Sequence, residues 1–178
     1  MLLQEYNKIW GDDFHTIQKL LSATLVDLPV SIEHIGSTSV PGLAAKPIID
    51  IDIVMSEHSI FNLIQTRLTT TGYRHHGNQG IPEREVFKRD ETAVVHEVLD
   101  GVAHHLYVCA ANSEELQKHL LFRDYLLADE EARVQYQYLK YEIAEEADQD
   151  RKKYAAMKEV KATAFINSIL KKAASQKL

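Results

Sequence analysis

Apolar residues recur at helical spacing near the start of the chain: Tyr6, Ile9, Trp10, Phe14, Ile17, Leu20, Leu21 and Leu25. This spacing predicts helix within residues 4–27, facing one side. Gly11 is expected to divide it into a short helix and a longer one, with Asp12 or Asp13 capping the second. The pattern then changes. Val30–Ile35 and Ile48–Met55 read as strands, joined by a turn-rich segment holding Gly36, Pro41, Gly42 and Pro47. Ile60, Phe61, Ile64 and Leu68 return to helical spacing, in a helix that Ser56 or Ser59 opens and Gly72 closes. Strands follow at 73–76, 84–88, 92–99 and 102–109, with Asp100-Gly101 expected to form a hairpin turn. Three helices finish the chain, at about 113–127, 129–146 and 150–174. Ser113, Asp129 and either Asp148 or Asp150 stand at their starts. The pattern predicts an α+β fold: a small mixed sheet, covered by N-terminal helices and packed against a C-terminal helical bundle. Residues 1–112 form the expected sheet-bearing core, and 113–178 the helical region packed on it.

Composition narrows the class. A chain of 178 residues suits one domain, with 45% hydrophobic and 26% charged residues, ordinary for a globular protein. One cysteine, Cys109, excludes an internal disulfide and fits a reducing cytoplasm. No transmembrane helix or signal peptide is expected. The net charge of -6 does not favour nucleic acid. Charge is unevenly spread: residues 90–150 hold 15 acidic and 4 basic side chains, whereas 151–178 hold 1 acidic and 8 basic. The basic end either lies against an acidic neighbour or turns some of its lysines toward a polyphosphate.

The chemistry concentrates in His34-Ile-Gly-Ser-Thr-Ser-Val-Pro-Gly-Leu-Ala-Ala-Lys-Pro-Ile-Ile-Asp-Ile-Asp-Ile-Val54. Asp50 and Asp52, at i and i+2 of an apolar strand, point to one face, while Ile49, Ile51 and Ile53 point to the other. Two carboxylates so placed repel unless a cation separates them. Mg²⁺ (or Mn²⁺) is held in this way, by one or two carboxylates and substrate phosphates. The amides of a Gly36-Ser37 turn cradle phosphate oxygens, with the Ser37 and Thr38 hydroxyls as further donors. Thr38 could equally bond its own turn. His34 is either a structural histidine or part of the site. Lys46 either pairs with Asp50 or reaches a phosphate. Paired histidines at 75–76 and 104–105 raise zinc, but strand neighbours face opposite ways and no Cys-x-x-Cys spacing is present.

The whole string, with Pro41-Gly42-Leu43 and Lys46-Pro47, resembles the GrpB family, placed in the nucleotidyltransferase superfamily. His105-Leu106-Tyr107-Val108-Cys109, Leu121-Phe122-Arg123-Asp124-Tyr125-Leu126, Tyr136-x-x-Leu139-Lys140 and Tyr154-x-x-x-Lys158 continue the resemblance in order, over roughly residues 30–172. It implies a nucleotidyltransferase-like fold binding a nucleoside triphosphate, or another small phosphorylated ligand, with Mg²⁺. Asp50 and Asp52 would hold the metal and Gly36-Ser37 the triphosphate, with nucleotidyl transfer to an unknown acceptor. Arg123 and Lys140 become candidate phosphate ligands, Arg123 alternatively pairing with Asp124 or another acidic residue of the helical half. Such a site also needs a third carboxylate. The strand at 102–109 has none, so Glu97 is the candidate and Asp100 the next. Without a third acid the expected protein is a nucleotide- or phosphate-binding module that has lost turnover.

Overall fold

The computed structural model describes residues 2–175. Its elements run α1 (Ile9–Thr24), β1 (Val30–Ile35), β2 (Ile49–Met55), α2 (Phe61–Thr70), β3 (Tyr73–His75), β4 (Arg84–Arg89), α3 (Glu97–Gly101), β5 (His104–Ala110), α4 (Glu114–Ala128), α5 (Glu130–Glu146) and α6 (Arg151–Ser175). Single 3₁₀ turns at Ser37–Ser39 and His58–Ile60 fill two connections. Lys177 of the basic C-terminal stretch lies outside the described residues.

Five strands form one mixed sheet in the order β1-β2-β5-β4-β3. β2 and β5 run parallel at its centre, and the other pairs are antiparallel. Ile49, Ile51 and Ile53 are buried against Trp10, Phe14, Ile17 and Leu21 of α1 and Ile64 and Leu68 of α2. The period-2 alternation of β2 therefore presents isoleucines to this core and leaves Asp50 and Asp52 on the opposite face. The helical half supplies that face's cover. Tyr125, Leu126, Ala132, Tyr136, Ala162 and Ile169 form a second core that takes in Val40 and Leu43 of the turn-rich connection. Burying such side chains contributes roughly 25 cal/mol per Å² of apolar surface.

Several expectations from sequence are corrected. Gly11 does not divide the first helix: α1 runs through it, because Trp10, Phe14, Ile17 and Leu21 all gain burial from one continuous helix. That burial outweighs a glycine cost of about 1 kcal/mol. Asn7, rather than Asp12 or Asp13, bonds the first turn, accepting from the Ile9 amide at 3.0 Å. Residue 4 is not helical; Gln4 pairs with Ala45 as an isolated antiparallel bridge. Residues 92–99 are not a strand: Val94 and Val95 are exposed, and the segment ends in the short helix α3, capped by the His96 side chain. Asp100-Gly101 closes that helix instead of a hairpin. Asp100 is held by Arg89 at 2.7 and 2.9 Å, and the neighbours of β5 are β2 and β4. The starts of the three C-terminal helices agree with the reading, whereas neither Ser56 nor Ser59 caps α2, whose start has no side-chain cap. Ser113, Asp129 and Asp150 accept hydrogen bonds from the first-turn amides of α4, α5 and α6.

Candidate functional site

The site begins at Gly36, where β1 ends. Its backbone, at φ 73 and ψ -170, lies in a region only glycine enters freely. A Cβ there would stand 2.5 Å from Asp50 Oδ2. Gly36 thus lets the turn lie directly against the Asp50 carboxylate. Register continues the arrangement. Asp50 stands beside Ile35 on β1 and His105 on β5, and Asp52 beside Glu33 and Tyr107.

The two aspartates are not an unrelieved repulsive pair, because each has a histidine. His105 Nδ1 lies 2.9 Å from Asp50 Oδ1, and His119 Nδ1 of α4 lies 2.8 Å from Asp52 Oδ2. The aspartates differ in depth. Asp50 is partly open and lines a cavity; Asp52 is fully buried, and its Oδ1 has no hydrogen-bond partner. The other ring nitrogen of His119 lies 3.4 Å from Glu115, which lies 3.7 Å from Arg84. Burial lowers the His119 pKa, but bonds to Asp52 and Glu115 overcome this and hold it at about 9. His119 is therefore a cation at neutral pH.

The cavity, of about 570 Å³, lies between the sheet and the C-terminal helices. Gly36, Ser37, Asp50, Lys46, Lys140 and Lys158 all line it. None of these lysines makes an ion pair with a carboxylate among the described residues. Lys140 is 1% exposed, and its Nζ donates to Ser37 Oγ at 3.2 Å and to the Ala44 carbonyl. Burial, then the charge of Lys158, drives its pKa well below the ordinary lysine value. Lys46 is lowered by burial, then by Lys158 and Arg151. Its ammonium sits over the Tyr154 ring at 4.4 Å and not on Asp50. The Lys158 pKa is instead raised, first by Tyr136 and also by Asp50. The three lysines, none of them ion-paired among the described residues, form a basic cluster suited to an anion.

Other predicted residues fall elsewhere. His34 stacks on Phe14 at 4.5 Å and bonds Thr38 Oγ1 at 3.0 Å. Burial is the largest influence on it and lowers its pKa to about 4, keeping the ring neutral. Thr38 lines the cavity yet is tied to His34 and the Ile48 carbonyl. Arg123 follows its alternative reading: it binds Glu33 at 2.9 Å, Asp124 at 2.8 Å and the His34 carbonyl at 3.0 Å. Those bonds place its guanidinium on the aspartate face of β1, as a clamp between α4 and the sheet. Glu97 is corrected. It is exposed on α3, whose Val98 and Leu99 pack into the α1-side core, so it lies on the face away from the aspartates. Asp100 is committed to Arg89. On the aspartate face β5 presents His105, Tyr107 and Cys109, and no acid. Sequence reasoning missed Arg84, Glu115 and His119. The i, i+4 spacing of Glu115 and His119 was the available signal.

Among the described residues no three His, Cys, Asp or Glu side chains are arranged to hold a metal ion by themselves. The residues fit a divalent cation that arrives with substrate oxygens. Asp50 lines the cavity beside the glycine turn; Asp52 is fully buried behind the lining, and its Oδ1 has no hydrogen-bond partner among the described residues.

This sheet, with its Gly-Ser turn set against an Asp-x-Asp strand, has a nucleotidyltransferase-like fold. The chain superposes on the Cid1 poly(U) polymerase, solved bound to MgATP, with a TM-score of 0.56 at 12% identity, covering 82% of this chain and 45% of that one. Within that class the chain belongs to the GrpB protein family, whose model matches residues 1–172. It is similar to GrpB of Enterococcus faecalis, whose crystal structure gives a TM-score of 0.78 at 31% identity over 98% of both chains. Among curated relatives, BH1888 of Halalkalibacterium halodurans is 30% identical over 174 residues, 96% of this chain and 81% of that protein. YqkA of Bacillus subtilis is 31% identical over 139 residues, and the chain spans 38% of its length. Among the described residues no helix is long and apolar enough to cross a membrane.

Proposed function

We propose that this protein binds a nucleoside triphosphate with Mg²⁺ in the cavity between sheet and helices, and transfers its nucleotidyl group to an acceptor. The observation that carries the reading is one cavity lined by Asp50, the Gly36-Ser37 turn and three lysines that form no ion pair with a carboxylate among the described residues. The carboxylate suits a cation and the lysines a polyphosphate, and Mg-nucleotide is the ligand that brings both. Asp50 and the free oxygen of Asp52 would hold the metal, whose chemistry is to neutralise charge on the reacting phosphates. Ser37 donates to a phosphate oxygen, and Lys46, Lys140 and Lys158 balance the remaining negative charge. His119 fixes one oxygen of Asp52 and so decides which oxygen is free.

A second reading is supported by β5. His105 and Tyr107 stand beside Asp50 and Asp52 where a third acid is expected, so the same cavity would bind nucleotide without turning it over. Pyrophosphate release in the presence of each nucleoside triphosphate and a panel of acceptors tests the two. Release that vanishes in Asp50→Asn supports transfer. Nucleotide binding without release supports the binding module. Absence of nucleotide binding removes both.

A further inference from the structure

We propose that a second cavity beside the first receives the acceptor, and that this acceptor is a small anionic molecule bearing a hydroxyl or amine. The proposal rests on the transfer reading above for the word acceptor; the cavity and its ligand class rest on their own observations. A hollow of about 520 Å³ opens where β4 and β5 lie side by side. Arg84, His105 and Tyr107 line both this hollow and the nucleotide cavity. The partition is therefore a single layer of side chains, and it stands at the strand register of Asp50 and Asp52. His105 is the hinge of that wall. Its Nδ1 is engaged by Asp50, its side chain is 53% exposed, and its Nε2 has no hydrogen-bond partner among the described residues.

The lining selects charge and size. Arg89 and Asp100 cancel one another at 2.7 Å. Lys88 is exposed and makes no ion pair with a carboxylate among the described residues. Arg84 stacks over Tyr107 at 4.8 Å, reaches Glu115 at 3.7 Å, and keeps a buried Nε with no hydrogen-bond partner. Val86, Phe87, Leu99 and Leu106 line it as well, so the hollow joins a basic edge to an apolar floor in a protein of net charge -6. Its volume is that of a small-molecule site. A nucleic-acid strand requires a long basic track with successive stacking rings, which this bounded hollow does not offer. In the transfer, the acceptor oxygen or nitrogen bonds to the α-phosphorus and the bond to the β-phosphate oxygen breaks. Pyrophosphate leaves with that electron pair, and the acceptor's proton passes to solvent.

The test is calorimetric titration of the whole protein with sn-glycerol 3-phosphate, D-glycerate and neutral glycerol, each with and without α,β-methylene-ATP and Mg²⁺. The expected result is binding of at least one anionic probe and none of glycerol. Lys88→Glu weakens the probe more than tenfold, while Lys152→Glu, the same charge change on an exposed face of α6, does not. Inorganic tripolyphosphate fails to displace the probe. Equal binding of glycerol, no binding of either anion, indifference to Lys88→Glu, or displacement by tripolyphosphate each overturns the proposal. If the nucleotide analogue itself does not bind while the anion binds in a Lys88-dependent way, the reading of the first cavity falls and the second cavity stands.

Discussion

Gly36→Ala is the substitution for which the structure gives the clearest arithmetic. The wild-type backbone at φ 73 and ψ -170 is one that alanine adopts at a cost of about 1–3 kcal/mol. The new methyl would also stand 2.5 Å from Asp50 Oδ2, so either the turn or the carboxylate must move. Asp50 is the movable partner, and moving it breaks its 2.9 Å contact with His105. At roughly 2–4 °C per kcal/mol for a chain of this size, the melting temperature should fall by several degrees. Mg-nucleotide affinity should fall at least tenfold, because both the cradle and the carboxylate are disturbed. Gly42→Ala is the control. Its φ of +81 is also strained for alanine, but the nearest atom outside the turn is 3.8 Å away and belongs to Arg133. It should lower stability and leave nucleotide affinity alone. Urea denaturation gives the stability change and isothermal titration the affinity. A Gly36→Ala protein with wild-type affinity for Mg-nucleotide would refute the account of the turn.

Other outcomes follow from the same geometry. Lys140→Met removes a buried, carboxylate-free cation, so the melting temperature should hold or rise while triphosphate affinity drops at least tenfold; a drop in stability with affinity intact would make Lys140 purely structural. Arg123→Ala should cost about 1.5–3 kcal/mol through its lost bonds to Glu33 and the His34 carbonyl, with nucleotide affinity retained in a titration at a temperature where the variant is folded. His34 has a folded pKa of about 4 against an ordinary 6.5, so the unfolded chain takes up its proton first as pH falls. Its contribution is complete above pH 6.5 and is lost between 6.5 and 4, by up to about 3 kcal/mol at 1.36 kcal/mol per pKa unit. Chemical denaturation from pH 7 to 4 should show that slope in the wild type and a smaller one in His34→Asn.

Much of the fold was legible because local pattern and tertiary burial agree. β2 alternates isoleucine and aspartate, and one face of it is core and the other is site. Ser113, Asp129 and Asp150 cap helices through short-range bonds that a sequence states outright. The failures come where distant contacts decide. Gly11 stays helical because Trp10, Phe14, Ile17 and Leu21 of the same helix are buried together against the sheet. Residues 92–99 look strand-like by composition, but β5 already has a neighbour on each side, so no place beside it is left for them. In the site, Asp50, Asp52 and the glycine turn are close in sequence and were readable. His119 and Glu115 come from a helix packed across the sheet, and only the topology brings them to Asp52. Arg123 lay open between two roles because its partner Glu33 is 90 positions away.

The central claim is that Asp50 and the lysines lining one cavity together hold a nucleoside triphosphate and its cation. Titration of wild type, Asp50→Asn and Lys158→Met with each of the four nucleoside triphosphates, with and without Mg²⁺, measures it directly. The account predicts binding of at least one nucleotide to the wild type that requires Mg²⁺, loss of the Mg²⁺ dependence in Asp50→Asn, and weaker binding in Lys158→Met at either condition. No binding to the wild type, or binding that ignores both Mg²⁺ and Asp50, would contradict it.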